Sequence, residues 1–538
     1  MTNKLVKGTL ILSIATLFTK VIGSLFWAPF QNIAGDETVG LYRISFPFYS
    51  ILLMVASAGI PITVSKFVAE RLSHQDHHGA RQVLKAASFL LSITGFLAFS
   101  FLFFGADFIS KVLLENPPTK LSLQVLACAI LLVPLMAVIR GYFQGHQQMM
   151  PTGISQVVEQ IIRVGTVIGL TYWMVNAGTF TQAEVAAGAT SGALTGAIGG
   201  LLVVLWYDYR HRKTVPLLKR PSTKESFFPL AKKILTYAIP ISLASLVLPL
   251  IGLIDSFTVP RILMSMGNSE SATNTLFGIY SRGEPFVNVI STFSSSLTLA
   301  LIPAISAHVA KNEMKAVEHK IKQAWLMTFV IGFPASVGLA IMAQPLNIMM
   351  YKDDLGSTTL AILAFSAIFS TLAVTSSGIL QGLGYNKLPV RHLTIGAVVK
   401  MIGNFLFVPL IGISGSALAM VVAYVVVCSL NMWMVKRKTK TKIGVLRLFM
   451  KPIFCTILMA ISLSLVLFFI NQALPDDASR WTYTLISLVL TLFAAIIYGI
   501  ALLITGTIRE QEIRLLPMGA KLIQLFTRLR LLKTESLS

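Results

Sequence analysis

Apolar stretches long enough to cross a bilayer recur about fourteen times along this chain, separated by short polar loops. A helical crossing needs about 20 predominantly apolar residues, and that rule predicts spans at 8–33, 41–69, 84–106, 121–147, 153–176, 184–207, 233–258, 277–308, 322–343, 358–383, 390–410, 412–435, 450–471 and 482–505. The predicted class is an all-α polytopic membrane protein of about 14 transmembrane helices.

The polar loops carry a second pattern. With the N-terminus placed inside, one set of loops receives Arg71, Arg81, Arg210, Arg212, Lys219, Arg220, Lys311, Lys315, Lys436, Arg437 and Lys438. The opposite set holds Asp36, Glu37, Glu184, Glu270, Asp353, Asp354, Asp476 and Asp477, with few cations such as Lys111, Lys120, Lys352 and Arg480. Shifting the count by one span destroys this segregation, so the positive-inside rule puts both termini in the cytoplasm of a plasma-membrane protein. The same rule explains the net charge of +22 without nucleic acid. Charged residues make up only 12% of 538, against 55% hydrophobic, too few for a conventional soluble surface. Residues 506–538 interleave Leu522, Leu525, Phe526 and Leu529 with Lys521, Arg528 and Arg530, a pattern that suits a basic amphipathic tail on the inner leaflet or a disordered one. Cys128, Cys428 and Cys455 fall in apolar stretches and read as packing residues.

An internal repeat organises the chain. Ser13-x-Ala15-x-Leu17 with Ile22-Gly23 returns as Ser242-x-Ala244-x-Leu246 with Ile251-Gly252. Gly40-Leu41-Tyr42 with Pro47 returns as Gly278-Ile279-Tyr280 with Pro285. Ile60-Pro61, Ser65 and Val68-Ala69 return as Ile302-Pro303, Ser306 and Val309-Ala310, and Gly141-x-x-Gln144-Gly145 as Gly378-x-x-Gln381-Gly382. The offsets are all about 230–240 residues and six spans separate the copies, so the halves share one orientation. The expected organisation is an N-lobe over 1–208, a basic cytoplasmic linker over 209–231, a C-lobe over 232–437, two further helices over 438–505 and the tail over 506–538. The two six-helix lobes are pseudo-symmetric, and transporters of this design place their site between them.

Ionisable residues inside the spans are the functional candidates. Lys20, Arg163 and Lys400 lie near mid-depth, about 16–18 Å along their helices, and Arg43 and Arg282 nearer the outer ends. These five are the expected substrate-binding residues. The acids Glu159, Asp255 and Glu284 are fewer and are candidates for ion coupling or charge pairing. An excess of basic groups favours an anionic substrate such as a diphosphate. Local alternatives remain: Glu159 and Arg163 are spaced to neutralise one another, Arg43 can snorkel to outer headgroups, and Arg140, near the inner end of its span, is expected to snorkel. Gly59 and Pro61, with Pro240, Pro249 and Pro260, mark helix positions that can bend as hinges. No P-loop, HExxH or nucleophile-elbow segment occurs, so the chain reads as a transporter rather than an enzyme, with no cofactor. The run His74, Asp76, His77, His78 reads as a hydrophilic loop rather than a metal site.

Lys7-Gly8-Thr9-Leu10, Gly40-Leu41-Tyr42-x4-Pro47 and Gly59-Ile60-Pro61 with Ser65-Lys66-x-Val68-Ala69-Glu70 resemble the polysaccharide-transporter and stage V sporulation protein B branch of the MOP flippase superfamily, related to the MurJ-type lipid II flippases. The resemblance implies two six-helix lobes in a V with two extra C-terminal helices. It also implies flipping of undecaprenyl-pyrophosphate-linked sugars, such as cell-wall precursors, by alternating access, with the lipid tail beside spans thirteen and fourteen. Thr19-Lys20-Val21-Ile22-Gly23 matches the relatives' cationic first-helix motif with Lys in place of Arg; their second arginine falls near Phe26. Tyr280, Arg282, Glu284 and Pro285 match the eighth-helix motif with closer spacing. The expected partners are membrane lipid, an anionic lipid-linked saccharide and cell-wall synthesis enzymes. The energy source stays open between the membrane potential and a coupled ion, Na+ or H+. Two rivals are an ion-coupled multidrug or cation antiporter of the related extrusion class, and a membrane scaffold for wall synthesis that transports nothing.

Overall fold

The computed structural model describes residues 2–57, 59–214, 226–245, 247–441, 444–475 and 478–507. Among these there is no strand. The helices are α1 (Thr2–Leu25), α2 (Trp27–Ser57), α3 (Ile60–Ser73), α4 (His77–Phe108) with a π-helical turn at Ile109–Leu113, α5 (Thr119–Gly145), α6 (Met150–Ala177), α7 (Gln182–Thr214), α8 (Phe227–Ser245), α9 (Val247–Ser265), α10 (Glu270–Ser281), α11 (Glu284–Ala310), α12 (Met314–Ile341), α13 (Ala343–Tyr351), α14 (Ser357–Gly382), α15 (Lys387–Ile411), α16 (Ile413–Thr439), α17 (Val445–Ala473) and α18 (Arg480–Ile504). Among the described residues, all fourteen expected spans fall largely on helical chain. Ten stretches of the described residues qualify as membrane spans by length and apolar composition, one of them covering 14–73 and so the first two expected crossings. The chain is an all-helical, multi-pass membrane protein.

Several spans expected to be continuous are divided. The first passes from α1 to α2 at Phe26, and α2 itself bends at Gly35, whose φ of 79° and ψ of 167° lie outside helical geometry. The second is divided between α2 and α3, and Pro61 sits in the first turn of α3, where no intrahelical bond needs its missing N–H. The seventh is divided between α8, which holds Pro240, and α9, which holds Pro249 and Pro260; the eighth between α10 and α11. The sequence logic treats proline as a bend inside a helix; Pro61 and Pro249 instead sit next to helix starts, while Pro240 and Pro260 lie within α8 and α9. Local chemistry fixes other starts. The Thr181 N–H donates to Glu184 Oε2 at 2.8 Å while the Glu184 N–H donates to Thr181 Oγ1 at 3.3 Å, a reciprocal capping box on α7. Asp76 Oδ1 accepts from the Gly79 N–H at 2.8 Å and caps α4, so the histidine-rich run is a helix start. Of the expected linker, residues 215–225 lie outside the described residues, as do 508–538 of the tail.

By its internal contacts the chain falls into two units, residues 1–281 with 400–416, and residues 282–399 with 417–538. In the first, Val64, Phe67, Val83, Leu91, Phe143 and Ile234 form an apolar core among α3, α4, α5 and α8. In the second, Trp325 is fully buried and donates its indole N–H to Ser376 Oγ at 3.0 Å, and Phe329 stacks on Phe449 with centroids 4.0 Å apart.

Hydrocarbon removes the hydrophobic drive between membrane helices, so close approach through small residues has to hold them together. The repeat supplies that approach twice. Gly141 of α5 lies against the Pro61 carbonyl and Gly145 against Val68 and the Ser65 carbonyl, where an added Cβ would come within 2.5–2.8 Å. In the second copy Gly378 of α14 lies against Thr298, Gly382 lies against Ile302 and Ile305, and Ser306 Oγ donates to the Gly382 carbonyl at 3.0 Å. A third pair is reciprocal. A Cβ on Gly40 would sit 1.9 Å from the Asn274 carbonyl oxygen, and one on Gly278 would sit 2.0 Å from that of Asp36. Each repeat glycine of α2 and α10 thus touches the residue four positions before its counterpart.

Gly40→Ala and Gly278→Ala are each expected to cost about 1–3 kcal/mol through overpacking. The double variant should cost less than the sum, because both separate one helix pair. Gly165→Ala, with nothing within 4 Å of the new carbon, should be neutral or stabilising; thermal unfolding in detergent reads all four.

Candidate functional site

One polar cluster of the first unit gathers on α6, and the reason lies in α7. Gly188, Gly192, Gly196 and Gly200 recur every fourth residue and form a bare stripe along one face of α7. That stripe lies on Met174, on Val167 with the Arg163 carbonyl, on the Glu159 carbonyl, and on Glu159 Cβ with Arg140 Nη2. The fit fixes the height and rotation of α6 and therefore of its charged residues.

Glu159 is gripped from two sides. Arg163 Nη2 donates to its Oε1 at 2.6 Å and Arg140 Nη2 to its Oε2 at 2.9 Å; Arg140 Nε donates to Ser155 Oγ at 2.6 Å. The three charged side chains are 14–24% exposed. Two guanidiniums against one carboxylate leave one positive charge over, since arginine stays protonated in proteins. Arg163 Nε is buried and has no hydrogen-bond partner. Arg140 therefore does not snorkel to a headgroup, as its position in the span suggested. A carboxylate across the helix interface outcompetes the bilayer surface.

Around this triad stand the other candidates of the N-terminal half. The Arg43 guanidinium lies 3.5 Å over the Trp27 ring, a cation–π arrangement. Tyr42 is within electrostatic reach of both Arg43 and Arg163, and Tyr49 of Arg163 and Glu159. Lys20 is exposed on α1, one turn before Gly23, whose Cβ position lies 3.2 Å from Gln160 Nε2 on α6. Trp27 and Tyr49 were not singled out from the sequence, Tyr42 entered only through the repeat, and Arg140 only as a snorkelling residue. The four-residue glycine spacing of α7 marks α6 as the helix it carries, and nothing local in the sequence marks the residues of α2 and α5 that face it.

Lys400 has a different setting. It is wholly enclosed, and its ammonium lies 2.9 Å from Asp255 Oδ1, 2.6 Å from the Ser416 carbonyl and 2.9 Å from Ser416 Oγ. Tyr280 OH donates to Asp255 Oδ2 at 3.0 Å, and Asn404 Nδ2 donates to Asp255 Oδ1 at 2.9 Å and to Thr258 Oγ1 at 2.7 Å. The same repeat tyrosine thus accompanies a cation in both copies, Tyr42 near the partly buried Arg163 and Tyr280 beside the enclosed Lys400. In this conformation Lys400 offers no surface to a solute.

In the second unit, Arg282 is buried and donates through both terminal nitrogens to Asp353, at 3.1 Å for Nη2. Its guanidinium also lies 5.0 Å from the Tyr351 ring. Glu284 is half-buried in the first turn of α11, where the helix dipole favours an acid. Of the expected hinges, Pro61 lies where Gly141 seats against α3, and Gly59 is the residue before that helix. The second unit also holds an apolar groove of about 490 Å³ among α12, α13, α17 and α18, lined by Val330, Pro334, Leu339, Met459, Leu463 and Tyr498 among others.

Stacked apolar helices with cations enclosed between them define a polytopic membrane transporter. A family profile described as "Polysaccharide biosynthesis protein" matches residues 5–309, more than half of the chain, and one described as "MatE" matches residues 240–406. The chain belongs to the polysaccharide biosynthesis protein family, within the MOP flippase superfamily. Among curated relatives in Bacillus subtilis, the chain is 31% identical to the uncharacterized membrane protein YabM over 97% of its own length and 96% of that protein's. It is 29% identical to the lipid II flippase MurJ over 81% and 83%, and 28% identical to stage V sporulation protein B over 96% and 98%. The solved structure titled "Lipid II flippase MurJ, inward closed conformation" superposes with a TM-score of 0.67 at 16% identity, covering 91% of this chain and 98% of that one, which supports the fold.

Removing one member of the Asp255–Lys400 pair leaves a buried charge alone. Lys400→Met and Asp255→Leu should each cost roughly 3–5 kcal/mol, and the double variant clearly less than either; thermal unfolding of the four proteins measures the difference.

Proposed function

We propose that this protein flips a lipid-linked saccharide carrying a pyrophosphate, an undecaprenyl-pyrophosphate-linked oligosaccharide or cell-wall precursor, across the plasma membrane by alternating access. The observation that carries this reading is the excess charge at Arg140–Glu159–Arg163, with a buried Arg163 Nε that has no acceptor. An anion brought to that place supplies the missing acceptor and cancels the surplus charge, and the bidentate geometry of guanidinium suits a phosphate. Arg43 and Lys20 extend the basic lining towards α2 and α1. Lys400 and Arg282 act in this conformation through Asp255 and Asp353, as internal pairs.

The apolar groove on α12, α13, α17 and α18 offers a hydrocarbon surface for the prenyl chain, with few polar atoms to desolvate. The inside position of both termini, the two-lobe division of the sequence and the hinge role of Gly59, Pro61, Pro240, Pro249 and Pro260 belong to the same proposal. The relatives' names, lipid II flippase above all, support the substrate class. A cation antiporter needs an acid ready for the cation. Glu159 and Asp255 are both held by basic side chains, which weighs against that rival.

The test is leaflet exchange of labelled undecaprenyl-pyrophosphate sugars in proteoliposomes. Arg163→Ala should slow exchange about tenfold or more, as expected for loss of a charge-assisted contact, with Arg43→Ala also slowed and Gly165→Ala unchanged. Equal exchange by wild type and Arg163→Ala rejects the site. No exchange by a well-folded wild type favours the scaffold reading.

A further inference from the structure

The Lys400 ammonium has three protons to donate, yet four oxygens from three helices surround it. Asp255 Oδ1 of α9 is at 2.9 Å, the Ser416 carbonyl and Oγ of α16 are at 2.6 and 2.9 Å, and Tyr280 OH of α10 is at 3.4 Å. Tyr280 gives its own proton to Asp255 Oδ2, so it turns a lone pair towards the lysine. One turn further along α15, Asn404 Oδ1 is buried and has no hydrogen-bond partner. The whole assembly is closed, with the Lys400 side chain 0% and that of Asp255 5% exposed.

A carboxylate, a backbone carbonyl and two hydroxyls form the donor set of a hard cation. A single negative charge among them matches a monovalent one. The lysine ammonium is a compact point charge on a flexible stem and can stand where a spherical ion would, which a planar guanidinium cannot do.

We infer that this cage is a monovalent-cation site filled by the chain's own side chain. Lys400 is a tethered cation that substitutes for a free alkali ion between α9, α10, α15 and α16. Wild type therefore has no use for sodium here, and shortening Lys400 opens the cage to it. The inference holds whatever the cargo, so it stands apart from the pyrophosphate reading.

The test compares the purified full-length protein in NaCl and in choline chloride at equal ionic strength, by thermal unfolding and by retention of 22Na+. Wild type should unfold at the same temperature in both salts and retain no sodium. Lys400→Ala should unfold several degrees higher in sodium than in choline, because a ligand of the folded state stabilises it. It should retain one sodium per chain, and Asp255→Asn added to it should abolish both effects. Lys400→Met, which refills the space with an apolar chain, should not respond. Sodium retained by wild type and lost in Asp255→Asn overturns the inference. So does a Lys400→Ala that retains none, or one that fails to fold even in sodium while Lys400→Met folds.

Discussion

A cation enclosed among apolar helices must be met by oxygen. Leaving it unpaired in a low-dielectric interior costs more than most folds can spare. This requirement organises the polar interior of the protein. Each enclosed cation has drawn an acid towards it: Arg140 and Arg163 share Glu159, Lys400 faces Asp255 and Arg282 grips Asp353. The three solutions differ in balance. The second and third match one basic group with one acid, whereas the first sets two against one. The proposed anion site rests on that difference: the paired groups hold helices together, and the triad alone carries a surplus positive charge.

Small residues make these pairings reachable. The α7 glycine stripe lets the α6 backbone approach until Arg163 and Glu159 are set at fixed heights. The reciprocal contact of Gly40 and Gly278 joins α2 to α10 with carbonyl oxygens where side chains would otherwise stand. α2 carries Tyr42 and Arg43, and α10 carries Tyr280, so the same approach brings the repeat tyrosines to their cations. Backbone packing and charge placement are therefore a single problem in this fold, and a Cβ in the wrong place would disturb both.

Much of this was legible before any coordinates. The apolar periodicity gave the helical class, and the repeat in Gly40, Pro61, Gly141 and their partners became three helix contacts. Position inside an apolar span picked out Lys400, Asp255, Arg163 and Glu159, along with Lys20, Arg43, Arg282 and Glu284. What the sequence withheld was partnership across distance. Asp255 and Lys400 are 145 residues apart, and nothing local couples them, while Arg140 looked like a snorkelling residue because its own span offers no acid. The divisions at Phe26, Gly35 and between α10 and α11 were also hidden, since hydropathy averages over a kink and sees only apolar content. Glu159 and Arg163, four residues apart on one helix, were the exception, because their contact is written in the helical repeat itself.

The most direct measurement is lipid retention by native mass spectrometry. The protein, released from membranes that contain undecaprenyl pyrophosphate and a zwitterionic phospholipid, should keep the pyrophosphate lipid preferentially. Arg163→Gln should lose that preference and Glu159→Gln, which adds to the surplus charge, should strengthen it. Equal retention of the two lipids by wild type, or a preference untouched by either substitution, would contradict the central claim.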